Sequence, residues 1–246
     1  MVGSLNWLPI IIFVGAIMSV TAQSIIDRVR IQLIDNGSIK RWSDSELLLW
    51  LSDGQRTIVT ASPGNSSSTE VVPLVSGTKQ TIPSDGNMLL YIVRNTNAAG
   101  TVPGRAVRIV SREILDAQNP DWHSSTASAT VQNYIFDPQE PLIYYVYPPN
   151  TGAGYVELVY SHLPADMTSL SSTLVVQDIY QTALFDYVMF RAHQKDSDFA
   201  AGQAVASNYL QLFMAAVGQR DAGILSTNPN LQLGSPDPSS RGSAKV

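Results

Sequence analysis

The three histidines, His123, His162 and His193, are the first residues to test for metal or acid–base chemistry in a chain without cysteine. Zinc needs several converging ligands, and two histidines four residues apart on a helix would supply such a face. These three fall in a loop, at a strand end and at a helix end, with no such partner, and each reads as a surface or turn residue. Ser76-Gly77-Thr78-Lys79 matches the Ser-x-x-Lys signature of one serine-hydrolase class. That motif must open a helix; here it falls on a hairpin turn, and its companions Ser-Asp-Asn and Lys-Thr-Gly do not occur. No Gly-x-Ser-x-Gly elbow or Walker loop is present, and Gly152-Ala153-Gly154 lacks the third glycine of a dinucleotide fingerprint. Arg105, Arg108 and Arg112 form a basic cluster that could meet phosphate or an acidic partner, or be a solvated face. Tyr144, Tyr145, Tyr147, Tyr155 and Tyr160 could stack on sugars, although aromatic cross-strand pairs commonly stabilise a sheet. No catalytic, cofactor-binding or metal-ligating residue is assigned, and the chain reads as a protein without enzymatic activity.

Composition narrows the alternatives. At 246 residues the chain can bury a substantial core. Its net charge of −5 argues against non-specific wrapping of nucleic acid, which depends on Lys and Arg displacing counterions. Leu5–Val20 is apolar except for Asn6, Pro9 and Ser19, and no Lys or Arg precedes it. It is short for a membrane span of about 20 residues. Val20-Thr21-Ala22 would serve as a small-residue cleavage site, yet a signal peptide would carry a basic start. An extension or packed segment, a signal peptide and an anchor all remain open for 1–20, as does a natural start at Met18.

The elements that would position any site follow from period and punctuation. Ser24 caps a short helix with Ile26, Val29 and Leu33 on one face, and Asp35-Asn36-Gly37 ends it. Arg41–Ala61 is the central helix. Ser43 and Glu46 form a capping box, and Leu47, Trp50, Leu51, Gly54 and Ile58 make one buried stripe. Leu48 and Leu49 lie outside that stripe, so this helix is more apolar than one partner requires. Gly54 costs about 1 kcal/mol relative to Ala in a helix interior, which suits a close backbone approach. The period then changes. Thr69–Val75 and Thr78–Ile82 read as a hairpin, with Pro73 favouring an edge. Met88–Arg94, Arg105–Val110, Val131–Phe136, Leu142–Tyr147 and Tyr155–Tyr160 read as strands, and Arg112–Ala117 as a short helix. Leu174–His193 and Asp198–Val217 form an antiparallel helical pair. The last residues are rich in Gly, Ser, Pro and Asn, with only Ile224, Leu225, Leu231 and Leu233 to bury.

The predicted fold class is therefore α+β: an antiparallel helical bundle built from both chain ends, a mostly antiparallel β insertion, and a flexible C-terminal tail. The boundaries are 1–20 for the apolar leader, 21–62 and 172–221 for the two parts of the bundle, 63–171 for the insertion and 222–246 for the tail. One function compatible with the leader and the tyrosine-rich strands is a secreted or periplasmic binding protein, which requires cleavage near Ala22.

Three runs point elsewhere. They are Arg41-Trp42-Ser43-Asp44-Ser45-Glu46-Leu47-Leu48-Leu49-Trp50-Leu51-Ser52-Asp53-Gly54-Gln55-Arg56, Phe136-Asp137-Pro138-Gln139-Glu140-Pro141-Leu142-Ile143-Tyr144-Tyr145-Val146-Tyr147-Pro148-Pro149, and Val156-Glu157-Leu158-Val159-Tyr160-Ser161-His162-Leu163-Pro164. In that order, followed by the helical pair, they resemble the head-to-tail adaptor (connector) proteins of tailed bacteriophages over about Thr21–Gln219. The resemblance implies a non-enzymatic virion protein of the neck, assembled in the host cytoplasm, with no cofactor and no membrane. It implies a homo-oligomeric ring, a dodecamer, stacked between the portal protein and the tail tube or nozzle. Double-stranded DNA would pass through its lumen without sequence-specific binding. On this reading Leu48, Leu49 and Arg56 lie at the subunit interface. Ile224, Leu225, Leu231 and Leu233 belong to a portal-docking tail, and the bundle faces the portal while the β insertion faces the tail.

Overall fold

The computed structural model describes residues 20–196 and 200–227, and its class is α+β. The leader through residue 19 lies outside the described residues, as does 228–246. Five helices occur among the described residues: α1 (Ala22–Gln32), α2 (Asp44–Ala61), α3 (Arg112–Gln118), α4 (Gln181–Lys195) and α5 (Ala200–Thr227). Eight strands separate them: β1 (Ser67–Pro73), β2 (Gly77–Thr81), β3 (Gly86–Thr96), β4 (Pro103–Ala106), β5 (Arg108–Ile109), β6 (Asn133–Phe136), β7 (Ile143–Asn150) and β8 (Tyr155–His162).

Helices α1, α2, α4 and α5 share one core. Ile25, Ile26 and Val29 of α1 meet Leu47, Leu51 and Ile58 of α2, Leu184 and Val188 of α4, and Phe213 and Val217 of α5. Among these helices α4 is central, since α1, α2 and α5 all pack on it. Gly54 permits the α2–α4 approach, although the close neighbours are side chains rather than backbone. A Cβ there would lie 3.0 Å from both Leu184 Cδ2 and Tyr187 Cδ1. Helix α5 returns antiparallel to α4. His193 stacks on Tyr209 with centroids 5.7 Å apart, Tyr187 meets Phe213 at 5.1 Å, and Thr182 and Ala183 lie beside Ala216 and Gln219.

Several local expectations change. Helix α1 starts at Ala22 with Thr21 as its N-cap, while Ser24 Oγ donates to the Thr21 carbonyl at 2.8 Å. Tertiary bonding draws the start back. The Ala22 N–H donates to Ser172 O and the Gln23 N–H to Leu170 O, both at 2.9 Å, so two orphan donors of the first turn are met. Val20-Thr21-Ala22, the candidate cleavage site, is thus built into the fold. At its other end α1 stops before Asp35-Asn36-Gly37. Asp35 N–H donates to Arg30 O and Ile34 N–H to Ile31 O, which is a Schellman motif. Its left-handed position is held by Ile34, at φ +55°, not by Asn36 or Gly37. A β-branched residue costs about 1–2 kcal/mol there. Ile34 is 90% exposed, so little packing offsets that cost. Ile34→Gly is expected to raise stability by about 1 kcal/mol in urea unfolding, with an unchanged m-value.

Helix α2 keeps half of its capping box. Ser43 Oγ accepts from the Glu46 N–H at 3.2 Å, but the Glu46 carboxylate accepts from Lys195 Nζ at 2.5 Å. Two buried polar residues on α2 then anchor the segment that precedes α4. Ser52 Oγ accepts from the Met167 N–H at 2.9 Å, and Gln55 Oε1 from the Val175 N–H at 2.8 Å. Leu174 N–H donates to Val20 O, and Thr173 bridges Thr21. These tertiary bonds occupy donors around 173–176. The helix expected from Leu174 therefore begins only at Gln181, after a 3-10 turn at Asp178–Tyr180.

The strands form two four-stranded sheets, in the orders β1-β8-β3-β4 and β2-β7-β6-β5. Every pairing is antiparallel except β5 with β6. The sheets share one core, in which Leu89, Ile92, Val156 and Leu158 of the first meet Tyr134, Tyr144 and Val146 of the second. The expected hairpin of Thr69–Val75 with Thr78–Ile82 does not form, because β1 pairs with β8 and β2 with β7. Gln80 intervenes: its Oε1 accepts from the Val75 N–H at 2.8 Å and its Nε2 donates to Val75 O at 2.9 Å, turning the chain between sheets. The strand expected over Arg105–Val110 likewise splits into β4 and β5. Val107 is buried between them, where one sheet gives way to the other.

Candidate functional site

The residues singled out for chemistry do not assemble. His123 stacks on Trp122 with ring centroids 3.6 Å apart, and its Nδ1 lies 2.9 Å from Thr78 Oγ1. His162 Nδ1 is buried without a hydrogen-bond partner among the described residues, and His193 belongs to the α4–α5 contact. No group of three or more metal-ligating side chains occurs among the described residues. Gly77-Thr78-Lys79 opens strand β2 rather than a helix, so the Ser-x-x-Lys match lacks its required setting. Four of the five tyrosines take part in core packing. Tyr144 and Tyr160 are fully buried, and Tyr145 and Tyr147 flank a small core of Leu115, Trp122 and Ile135. Burial raises the Tyr144 hydroxyl above its ordinary pKa. Tyr160 rises for the same reason, with the Glu70 and Asp85 carboxylates adding to it, while its hydroxyl donates to Asp85 Oδ1 at 3.2 Å.

The basic cluster is spread over three elements, β4, β5 and the start of α3. Arg112 Nε lies 3.4 Å from Asp116 Oδ2, whereas Arg105 and Arg108 make no ion pair among the described residues. A groove of about 710 Å³ runs past Ile109, Arg112, Phe136, Asp137, Ile143 and Tyr145, and only the last of the three arginines lines it. Its Asp137 and Glu140 counter the arginine, so it is not a basic trough of the kind phosphate would seek.

The helical residues expected at a subunit interface part company. Leu48 is 5% exposed and enclosed by its own fold, leaving it no surface for a neighbour. That corrects its expected role: the Leu48 side chain is covered within the chain itself. Leu49 keeps 52% of its surface. Arg56 Nη2 donates to Asp166 Oδ1 at 2.6 Å, and Nη1 reaches Asp53 Oδ1 at 3.4 Å, so its charge is matched within the chain. Beside it, Asp53, Arg56, Thr57, Thr60, Ala61 and Tyr187 line a groove of about 490 Å³. Of the four tail residues, Ile224 and Leu225 fall within the backbone of α5, which continues to Thr227 past the expected boundary at 221. Leu231 and Leu233 lie outside the described residues.

Two features were not anticipated. The first is a buried ionic network at the α1–α2 connection. Arg30, 5% exposed, donates through Nη1 to Asp35 Oδ2 at 2.6 Å, through Nη2 to Trp42 O at 3.1 Å, and pairs with Asp44. Asp35 Oδ1 also accepts from the Arg41 N–H at 2.7 Å. Hydrogen bonding to Arg30 holds the Asp44 carboxyl below the usual aspartate range, against a smaller opposing effect of burial. A clue existed in the sequence, since Arg30 follows directly on the apolar face of Ile26 and Val29. The second is the outer face of α5, where Val205, Leu212 and Met214 are exposed. Its clue was an absence of charge: from Ala200 to Gln219 the sequence contains no Asp, Glu, Lys or Arg.

No helix among the described residues is long and apolar enough to cross a membrane. No curated protein matches the chain. A family model described as SU10 adaptor protein matches residues 20–232, a span that takes in every described helix and strand. With so much of its length matched, the chain belongs to the SU10 adaptor protein family, phage proteins that join parts of the virion.

Proposed function

We propose that the protein forms a closed homo-oligomeric ring, a dodecamer, in the virion neck between the portal and the tail tube or nozzle. There it lengthens the DNA channel and offers the tail a docking surface. The observation that carries this reading is the family match over 20–232. The physical character of the surface supports it. On α5, Leu212 and Met214 keep more than half of their surface exposed within a stretch, Ala200–Gln219, that has no charged residue, as interface surfaces do. A net charge of −5 lets double-stranded DNA slide through a lumen, because few counterions are displaced.

In this arrangement the helical layer faces the portal and the sheets face the tail. Helix α5 passes the start of α4 at Ala216–Gln219 and continues to Thr227, so on this reading residues 228–246 would have to run back to reach the portal. Fully extended they could span about 60 Å, enough to do so. The decisive experiment mixes the purified chain with purified portal and images the product by electron microscopy. A ring coaxial with the portal is expected, and a chain that stays monomeric beside it overturns the reading. Truncation should follow Thr227, because a cut at Gly223 would remove helix as well. Removing 228–246 is expected to weaken portal attachment at least tenfold while thermal unfolding is unchanged. Undiminished attachment would remove the tail from the portal contact.

A further inference from the structure

From the charge-free face of α5 we infer the surface that joins neighbouring copies: it docks on the α2 flank of a second copy of this chain. The inference rests on the ring reading above and specifies which flanks meet. Helix α5 buries Ala206, Phe213 and Val217 against its own core and leaves Ala204, Val205, Ser207, Asn208, Gln211, Leu212, Met214 and Ala215 exposed. A solvated helix face ordinarily carries charges, whereas the centre of a protein interface is depleted of them. The stretch Ala200–Gln219 has none. That excludes nucleic acid as the occupant, since its affinity comes from Lys and Arg.

The position and size of the face identify the partner. It lies along the side of α4, not at an end of the helical layer, and stacked proteins meet ends while copies related by an axis meet flanks. About 30 Å of helix with an outer half about 19 Å around offers roughly 600 Å². A stable interface takes about 800 Å² from each partner, so the face supplies most of one side. The receiving surface is on a different helix. α2 and α5 each pack on α4 and barely touch each other. The exposed stripe of α2 begins at Leu49 and continues into the groove of about 490 Å³ lined by Asp53, Arg56, Thr57, Thr60 and Tyr187. Two unlike surfaces on one chain make a head-to-tail contact, and such contacts close into a ring when the rotation allows. Gln203, Asn208 and Gln211 can satisfy the polar wall of that groove without bringing a net charge into it.

The test uses the full chain, whose lack of cysteine makes engineered thiols specific. The double variant Leu212→Glu/Met214→Glu is compared with wild type by native mass spectrometry, alone and with portal. Wild type is expected to form rings, and the variant to lose at least nine-tenths of them. Ile109→Glu, at an exposed sheet position, is expected to keep them. Should the double variant unfold, a mixture of Leu212→Cys chains and Thr57→Cys chains decides the matter, because oxidation should link one kind to the other. Rings in the glutamate variant, or no link between the Leu212→Cys and Thr57→Cys chains, overturn the inference and leave the adaptor reading standing. Wild type that never forms a ring, even with portal, overturns both.

Discussion

Arg30→Ala is expected to lower the unfolding free energy by about 3–5 kcal/mol, the usual consequence of leaving one partner of a buried ion pair uncompensated. The Arg30 and Asp35 side chains are each only 6% exposed, and with the arginine gone the Asp35 carboxylate keeps only the Arg41 N–H. The Trp42 carbonyl loses its donor as well. Urea unfolding followed by circular dichroism measures the loss. Combining Arg30→Met with Asp35→Asn recovers part of it, because the asparagine carbonyl still accepts from Arg41 while the stranded charge disappears. An acid titration separates the contribution of Asp44. Its carboxyl is held below the ordinary range in the folded state, so the stability it adds is present above the unfolded aspartate pKa and is lost as pH falls through the folded value. In Arg30→Ala that acid-side loss becomes shallower. A variant as stable as wild type, with the same acid profile, would show that the network contributes nothing net.

Asn95→Ala is the second large effect, about 3 kcal/mol, and it acts on the sheets rather than the helices. The side chain is 6% exposed at the end of β3. Its Nδ2 donates to Arg105 O and Val131 O, and its Oδ1 accepts from the Val131 N–H, all at 2.8 Å. One residue thus ties β3 to β4 and to the segment entering β6. Alanine leaves three backbone groups without partners, each costing about 1–3 kcal/mol where water cannot reach. Asn95→Asp keeps the acceptor, forfeits both donations and adds a buried charge, so it is expected to be at least as damaging. Thermal unfolding reports the loss, and faster hydrogen exchange at the Val131 amide locates it. Unchanged exchange at Val131 would argue that the bonds reform elsewhere.

The parts of this molecule legible in sequence were those governed by local period and end chemistry. The stripe from Leu47 to Ile58 and the Ser43 cap follow from side chains a few residues apart. Their neighbours are set by helix or strand geometry alone, whichever fold surrounds them. The resemblance of three ordered runs carried the family for the same reason, since it depends on residue order and not on contacts. Gln80, Asn95 and Gln55 were illegible because their partners lie on other segments or are backbone groups, for which an amide gives no sequence signal.

By itself, then, the sequence determined the class of elements, their order and the family. Which strands became neighbours, where α4 began and which apolar residues stayed outside were decided only on folding. Thr69–Val75 and Thr78–Ile82 are adjacent in the chain yet enter different sheets, because Gln80 closes the turn between them. Leu48 and Leu49 are alike in sequence, but the packing of the helical layer encloses one and exposes the other. Periodicity reports which face of an element is apolar; only the positions of the other elements determine how much of that face they can cover.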